Sequence, residues 1–151
     1  MDKAAIIVLA DIETHGELGR LVNALSTADE FKEHGDEVTI IFDGAGVRWA
    51  AELSKPEHRL HEKFEGLRDK VAGACHYCAG AFEVRDELEQ IGFPLLRDHK
   101  GHPSLRTLVH DGYEIITFCC AVLRSSQRCA SSLPTRPLSS STNGEGESTS
   151  G

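Results

Sequence analysis

The chain has no apolar run long enough to cross a membrane. The longest, Ala4 to Ala10, spans seven residues and gives way at once to Asp11 and Glu13. That is too short for a bilayer span or a signal peptide, so the protein is expected to be cytoplasmic with its thiols reduced at rest. Clustered basic charge is missing as well. With 24 acidic against 16 basic residues the formal charge is −8, which argues against nucleic acid and anionic membrane as partners. An even cysteine set is absent: five cysteines fit poorly with a secreted disulfide framework. No phosphate-cradling loop is present, because Gly44-Ala45-Gly46 lacks the third glycine and the lysine of such loops. No cofactor is assigned. Aromatics are scarce at 6%, but 40% hydrophobic residues in a chain of 151 suffice for one α/β domain with a real core.

What is present alternates between two periodicities. Ala4 to Ala10 is a continuous apolar run that reads as a strand buried on both faces, ended by the acidic loop Asp11 to Gly16. Leu18, Leu21, Val22, Leu25, Ala28 and Phe31 recur at helical spacing, and Gly35 closes a helix over about 17–34. Glu37 to Phe42 is a second strand, ending at Asp43. Val47 to Leu53 starts a helix that Pro56 interrupts, and Ser54 with Glu57 has the spacing of a capping box for another helix, whose apolar face is Leu60, Phe64, Leu67 and Val71. A third strand follows, then a helix with Ala81, Val84, Leu88 and Ile91 on one face, stopping near Gly92. Phe93 to Leu96 is a short edge strand or loop because of Pro94. Ser104 caps a last helix through about His110, before the strand Tyr113 to Phe118. Residues 119–151 turn rich in Ser, Thr, Gly and Pro and are expected to be a disordered tail. Cys119, Cys120 and Cys129 there have no redox or metal spacing.

Strands alternating with helices imply right-handed crossovers and a mostly parallel sheet covered on both faces, a three-layer α/β fold. Ligands in such folds bind at the carboxyl ends of the strands. The loops after the first three strands therefore open on one edge, and Asp11, His15 and Asp43 become candidate binding residues beside the third strand's end.

That third strand carries the chemistry. Lys70 to Phe82 runs from a small apolar segment into Cys75-His76-Tyr77-Cys78 and a helix start. A thiol facing free backbone N–H groups at a helix start is expected to ionise more readily than usual, becoming nucleophilic at neutral pH. Cys75 is the candidate nucleophile, Cys78 its resolving partner and His76 a group that could tune the thiolate. The plain alternative for Cys75 is a small buried hydrophobe. Strand, C-x-x-C and helix also describe a dithiol redox site of thioredoxin type. A zinc shell could be assembled from Cys75, His76, Cys78, His58 and His61, but one C-x-x-C without a second pair is weak. His58 and His61 read as the solvated face of a charged helix, and His99 and His102 as surface-loop residues. No metal site is assigned. Trp49 and Tyr77 read as partly buried aromatics.

The opening strand, Ile41-Phe42-Asp43-Gly44-Ala45-Gly46-Val47, the Val71 to Cys78 strand and turn, and the closing Leu105 to Val109 and Gly112 to Phe118 together resemble the DsrE/DsrF-like family over residues 4–118. The resemblance implies a small flavodoxin-like fold that assembles into dimers, trimers or hexamers. Members that move sulfur carry it as a persulfide on a cysteine just past a strand, the position that Cys75 matches. It therefore implies a sulfur carrier or sulfurtransferase working with a donor or acceptor protein. A non-enzymatic oligomeric binding protein of the same fold remains open.

Overall fold

The computed structural model describes residues 1–119; the tail expected over 119–151 lies outside them apart from Cys119. The elements are β1 (Lys3–Val8), α1 (His15–Glu33), β2 (Glu37–Phe42), α2 (Val47–Leu53), α3 (His61–Glu65), β3 (Val71–Cys75), α4 (His76–Ala81), α5 (Arg85–Gln90), β4 (Leu95–Leu96), α6 (Leu105–His110) and β5 (Glu114–Phe118). All strands are parallel in the order β4-β3-β2-β1-β5. Ile6 sits opposite both Ile40 of β2 and Ile116 of β5, and Cys75 opposite Leu96 of β4.

Side chains alternate across a strand, so neighbouring residues of β1 face different layers. Ala4, Ile6 and Val8 join Leu21 and Leu25 of α1, Leu53 of α2, Phe64 of α3 and Leu88 of α5 in the main core. Ala5 and Ile7, with Ile41, form a much smaller cluster against Leu105 and Leu108 of α6. Five helices therefore cover one face and α6 alone the other, which is the three-layer arrangement expected, unequally filled. On the thick side Phe42, Phe64 and Phe93 make an aromatic triad. Phe42 meets the other two rings edge-on at 6.0 and 6.2 Å, and Arg68 lies 4.8 Å over Phe93. Each such side chain contributes roughly 1.5–3 kcal/mol through burial.

Caps fix the frame at both ends of the chain. Thr14 accepts from the Glu17 backbone N–H at 3.2 Å to start α1, and Ser104 accepts from the Thr107 N–H at 3.3 Å to start α6 as its spacing suggests. Ser54 behaves differently from the expected capping box. Its hydroxyl donates back to the Ala50 carbonyl at 2.7 Å and ends α2 instead of opening a helix. Turns fill 54–60, leaving α3 only five residues long. The helix expected after the cysteines is likewise two short ones, broken where Glu83 takes a left-handed φ of 58°. Ile91, placed on its buried face by periodicity, is exposed as a result.

Gly73 is required where it stands. At φ 151° a Cβ there would lie 2.5 Å from the Pro94 carbonyl oxygen, the acceptor of the Ala74 N–H that brings the β4 segment onto β3. Chain leaving β3 then turns into α4 and α5 on the thick side, whereas chain leaving β4 crosses to α6 on the thin side. Adjacent strands whose exits diverge in this way open a crevice at their carboxyl ends. Cys75 stands at that point.

Candidate dithiol site

Four side chains converge at the crevice. One oxygen of Asp43, the sulfurs of Cys75 and Cys78 and a ring nitrogen of His102 all lie within 4.8 Å of one another. Asp43 comes from the end of β2, the next strand over. Its Oδ1 accepts the Gly44 N–H at 2.8 Å and the Cys78 thiol at 3.2 Å. Cys75 ends β3 and caps α4, its sulfur accepting the Cys78 N–H at 3.4 Å. The same sulfur lies 3.2 Å from Nδ1 of His102. One helical turn separates the two cysteines, so both sulfurs reach the same space.

His102 is delivered by a tight turn. His99 and His102 exchange backbone hydrogen bonds at 2.9 Å in each direction, and Lys100 and Gly101 between them have φ of 51° and 88°. Two consecutive positive φ values define the hairpin turn of type I′, and glycine fits its second position. The turn is docked on α4. Tyr77 donates its backbone N–H to the Gly101 carbonyl at 2.9 Å, and its ring, itself largely exposed, lies 4.7 Å from the His102 ring.

The thiols of this resting state are not the acidic ones expected from a helix start. Cys75 is pushed up from an ordinary 9.0 to about 12, chiefly by burial, which outweighs the lowering N–H of Cys78, with smaller raising contributions from the Cys78 side chain and the Asp43 carboxylate. Cys78 is raised for the same two reasons, burial first. The residue as a whole is fully buried in the case of Cys75 and half-buried in that of Cys78. Desolvation and a like charge win over one N–H donor on a short helix.

Of the other candidates, Asp43 meets the cysteines, but Asp11 and His15 do not. They follow β1, two strands from β3, about 10 Å away at ordinary strand spacing. Asp11 is paired with Arg48 at 2.8 Å, and its carbonyl accepts the Trp49 indole N–H at 2.9 Å. His15 is exposed and lines a separate cavity of about 350 Å³ with Trp49, His58 and Arg59. His76 lies outside the four-residue group, and burial followed by the nearby Arg97 and Arg85 holds its ring below the usual value. His58 and His61 do not form a solvated face. His58 packs edge-on against Trp49 at 6.1 Å, and His61 Nδ1 lies 2.8 Å from the Leu53 carbonyl oxygen.

His102, read from sequence as a surface-loop residue, is the functional candidate that reading missed. A signal existed in Lys100-Gly101 between two histidines after a short edge strand, at the end of the sheet where ligands bind.

The fold and site define a class: a wholly parallel three-layer α/β domain with a dithiol at the crevice of its sheet. Within that class, a family model described as the DsrE/DsrF-like family matches residues 3–118, and the chain belongs to that family. An uncharacterized protein of Methanocaldococcus jannaschii is 38% identical over 96 residues, covering 64% of this chain and 78% of the relative. No solved structure gives a significant match. Among the described residues no helix is long and apolar enough to cross a membrane.

Proposed function

We propose that this protein carries sulfane sulfur as a persulfide on Cys75, with the half-buried Cys78 as the relay. The observation that supports this most is the 3.2 Å separation of the Cys75 sulfur from Nδ1 of His102, which gives the buried thiol a base within reach. The half-buried Cys78 meets the donor first. Its thiolate attacks the outer sulfur of a donor persulfide, and the donor departs as a thiolate. Cys75 then passes its proton to His102 and attacks the terminal sulfur held on Cys78. The bond between that sulfur and Cys78 breaks, Cys78 leaves as a thiolate and takes up a proton, and a persulfide remains on Cys75. No electron acceptor is needed, because sulfur moves as a neutral atom between thiolates. His76 has no part in this scheme, and Asp43 sets the reactivity of both sulfurs through its charge.

The reading extends to a reducing, cytoplasmic setting, to a donor or acceptor protein and to self-assembly, for which the thinly covered sheet face around Leu108 is the surface of choice. A second reading, reversible Cys75–Cys78 disulfide formation, shares the pair but not the all-parallel sheet, which departs from the mixed sheet of thioredoxin folds.

The test is intact and peptide mass spectrometry after incubation with a sulfane-sulfur donor. One added sulfur is expected to map to Cys75. It should load slowly in Cys78→Ser and be lost rapidly from Cys75→Ser. Recovery of only the disulfide supports the second reading, and an unmodified chain under all conditions overturns both.

A further inference from the structure

We propose that Asp43, Cys75, Cys78 and His102 form a tetrahedral site for a borderline-soft divalent metal ion of the zinc class. This goes beyond the sulfur-carrier reading, since a sulfur bound to metal is not free to attack a persulfide. The two states compete for one pair of thiols.

A zinc ion with bonds of about 2.3 Å to sulfur and about 2.0 Å to nitrogen or oxygen holds its ligand atoms about 3.3–3.8 Å apart. The four donor atoms here all lie within 4.8 Å of one another, and two of the edges, Cys75 to His102 and Cys78 to Asp43, are each 3.2 Å. Small adjustments in both directions reach a tetrahedron. Two thiolates with an imidazole suit zinc over calcium or magnesium, which take oxygen ligands.

Each ligand is also held from behind. The carboxylate of Asp43 is oriented by the Gly44 N–H, Cys75 by the Cys78 N–H, and His102 by its closed turn and the Tyr77 ring. Such support fixes ligand direction before the ion arrives. Cys75 and Cys78 enter as thiolates, and each releases its proton to solvent as its metal–sulfur bond forms. The ion then offsets the charge that Asp43 and two thiolates would otherwise place side by side. Bound metal would join three segments that are distant in sequence: the end of β2, the β3–α4 corner and the turn after β4.

The experiment uses the full chain, reduced and freed of metal, titrated with cobalt(II) and then with zinc. One cobalt per chain is expected, with the strong visible bands of tetrahedral cobalt and a thiolate-to-cobalt charge-transfer band, both abolished by zinc. His102→Ala and Cys78→Ser should each weaken zinc binding by about 100-fold or more, beyond the loss expected from disturbing an outer shell. Far-ultraviolet circular dichroism of the metal-free variants confirms that they fold. X-ray absorption on the zinc-loaded wild type provides a check independent of any variant, with two sulfur and two nitrogen or oxygen neighbours expected. A pale octahedral cobalt spectrum, wild-type affinity in His102→Ala, or a zinc shell without two sulfurs would overturn the proposal. Sulfur loading of the metal-free chain is read separately by mass, so either proposal can fail while the other stands.

Discussion

The two faces of the sheet are built to different standards. On one, five helices bury the Phe42, Phe64 and Phe93 triad and most of the core; on the other, α6 lies over Ala5, Ile7 and Ile41, with none of its own residues fully buried. Dense packing makes the first face the source of stability. The second is lightly held, and the crevice opens where the chain passes from one to the other.

The largest expected effect breaks the dense face. Phe42→Ala should cost about 3–5 kcal/mol in a denaturant melt, whereas Leu108→Ala on the thin face should cost about 1 kcal/mol, in keeping with a half-buried leucine. Equal losses would erase the distinction between the faces. Next comes the seam between them. Gly73→Ala drives a Cβ toward the Pro94 carbonyl and should cost about 1–3 kcal/mol as strain at a special backbone position. It should also loosen the β4 segment and its turn, so that Cys75 alkylates faster while α1 keeps its hydrogen-exchange protection. If Cys75 stays protected, β4 does not hold the turn in place.

A subtler change tests the electrostatics of the crevice. Asp43 raises the pKa of both thiols, so Asp43→Asn should lower them and speed alkylation at neutral pH. The gain is about threefold for each unit of pKa, because nucleophilicity falls as the thiolate fraction rises. Slower alkylation would mean that Asp43 acts as a base and not as an opposing charge. The smallest effect is on stability against pH. A thiol raised in the folded state contributes stability that is complete below its unfolded pKa and is lost as pH rises through the folded one. For Cys75 that window runs from 9.0 to about 12. Cys75→Ser should therefore flatten the alkaline limb of the melting profile, and an unchanged limb would assign the loss to other groups such as Tyr113, whose hydrogen bond to Glu37 raises it to about 12 as well.

The sequence was most readable where one face of an element meets a deep core. Ile6, Ile40, Leu21 and Leu25 announce their strands and helix because burial enforces their spacing. Legibility fails where loops carry the chain. Ser54 and Glu57 have a capping-box spacing, yet the Ser54 hydroxyl donates back to the Ala50 carbonyl. Cys75, Cys78 and Asp43 could be placed at one edge from topology alone. The height of the thiol pKa could not, since it depends on how completely three neighbouring segments exclude water. Nor could the partnership of His102, twenty-seven residues from Cys75, because a turn of four residues carries no periodicity.

That turn closes on itself through its own two hydrogen bonds, and its shape is set by Lys100 and Gly101 rather than by the sheet beneath it. It is a replaceable cassette. Exchanging four residues would present the two sulfurs with a different neighbour, an acid, an amide or nothing, and leave every strand in register. The chemistry facing the two sulfurs can therefore be changed at the turn while the cysteines and the fold are kept.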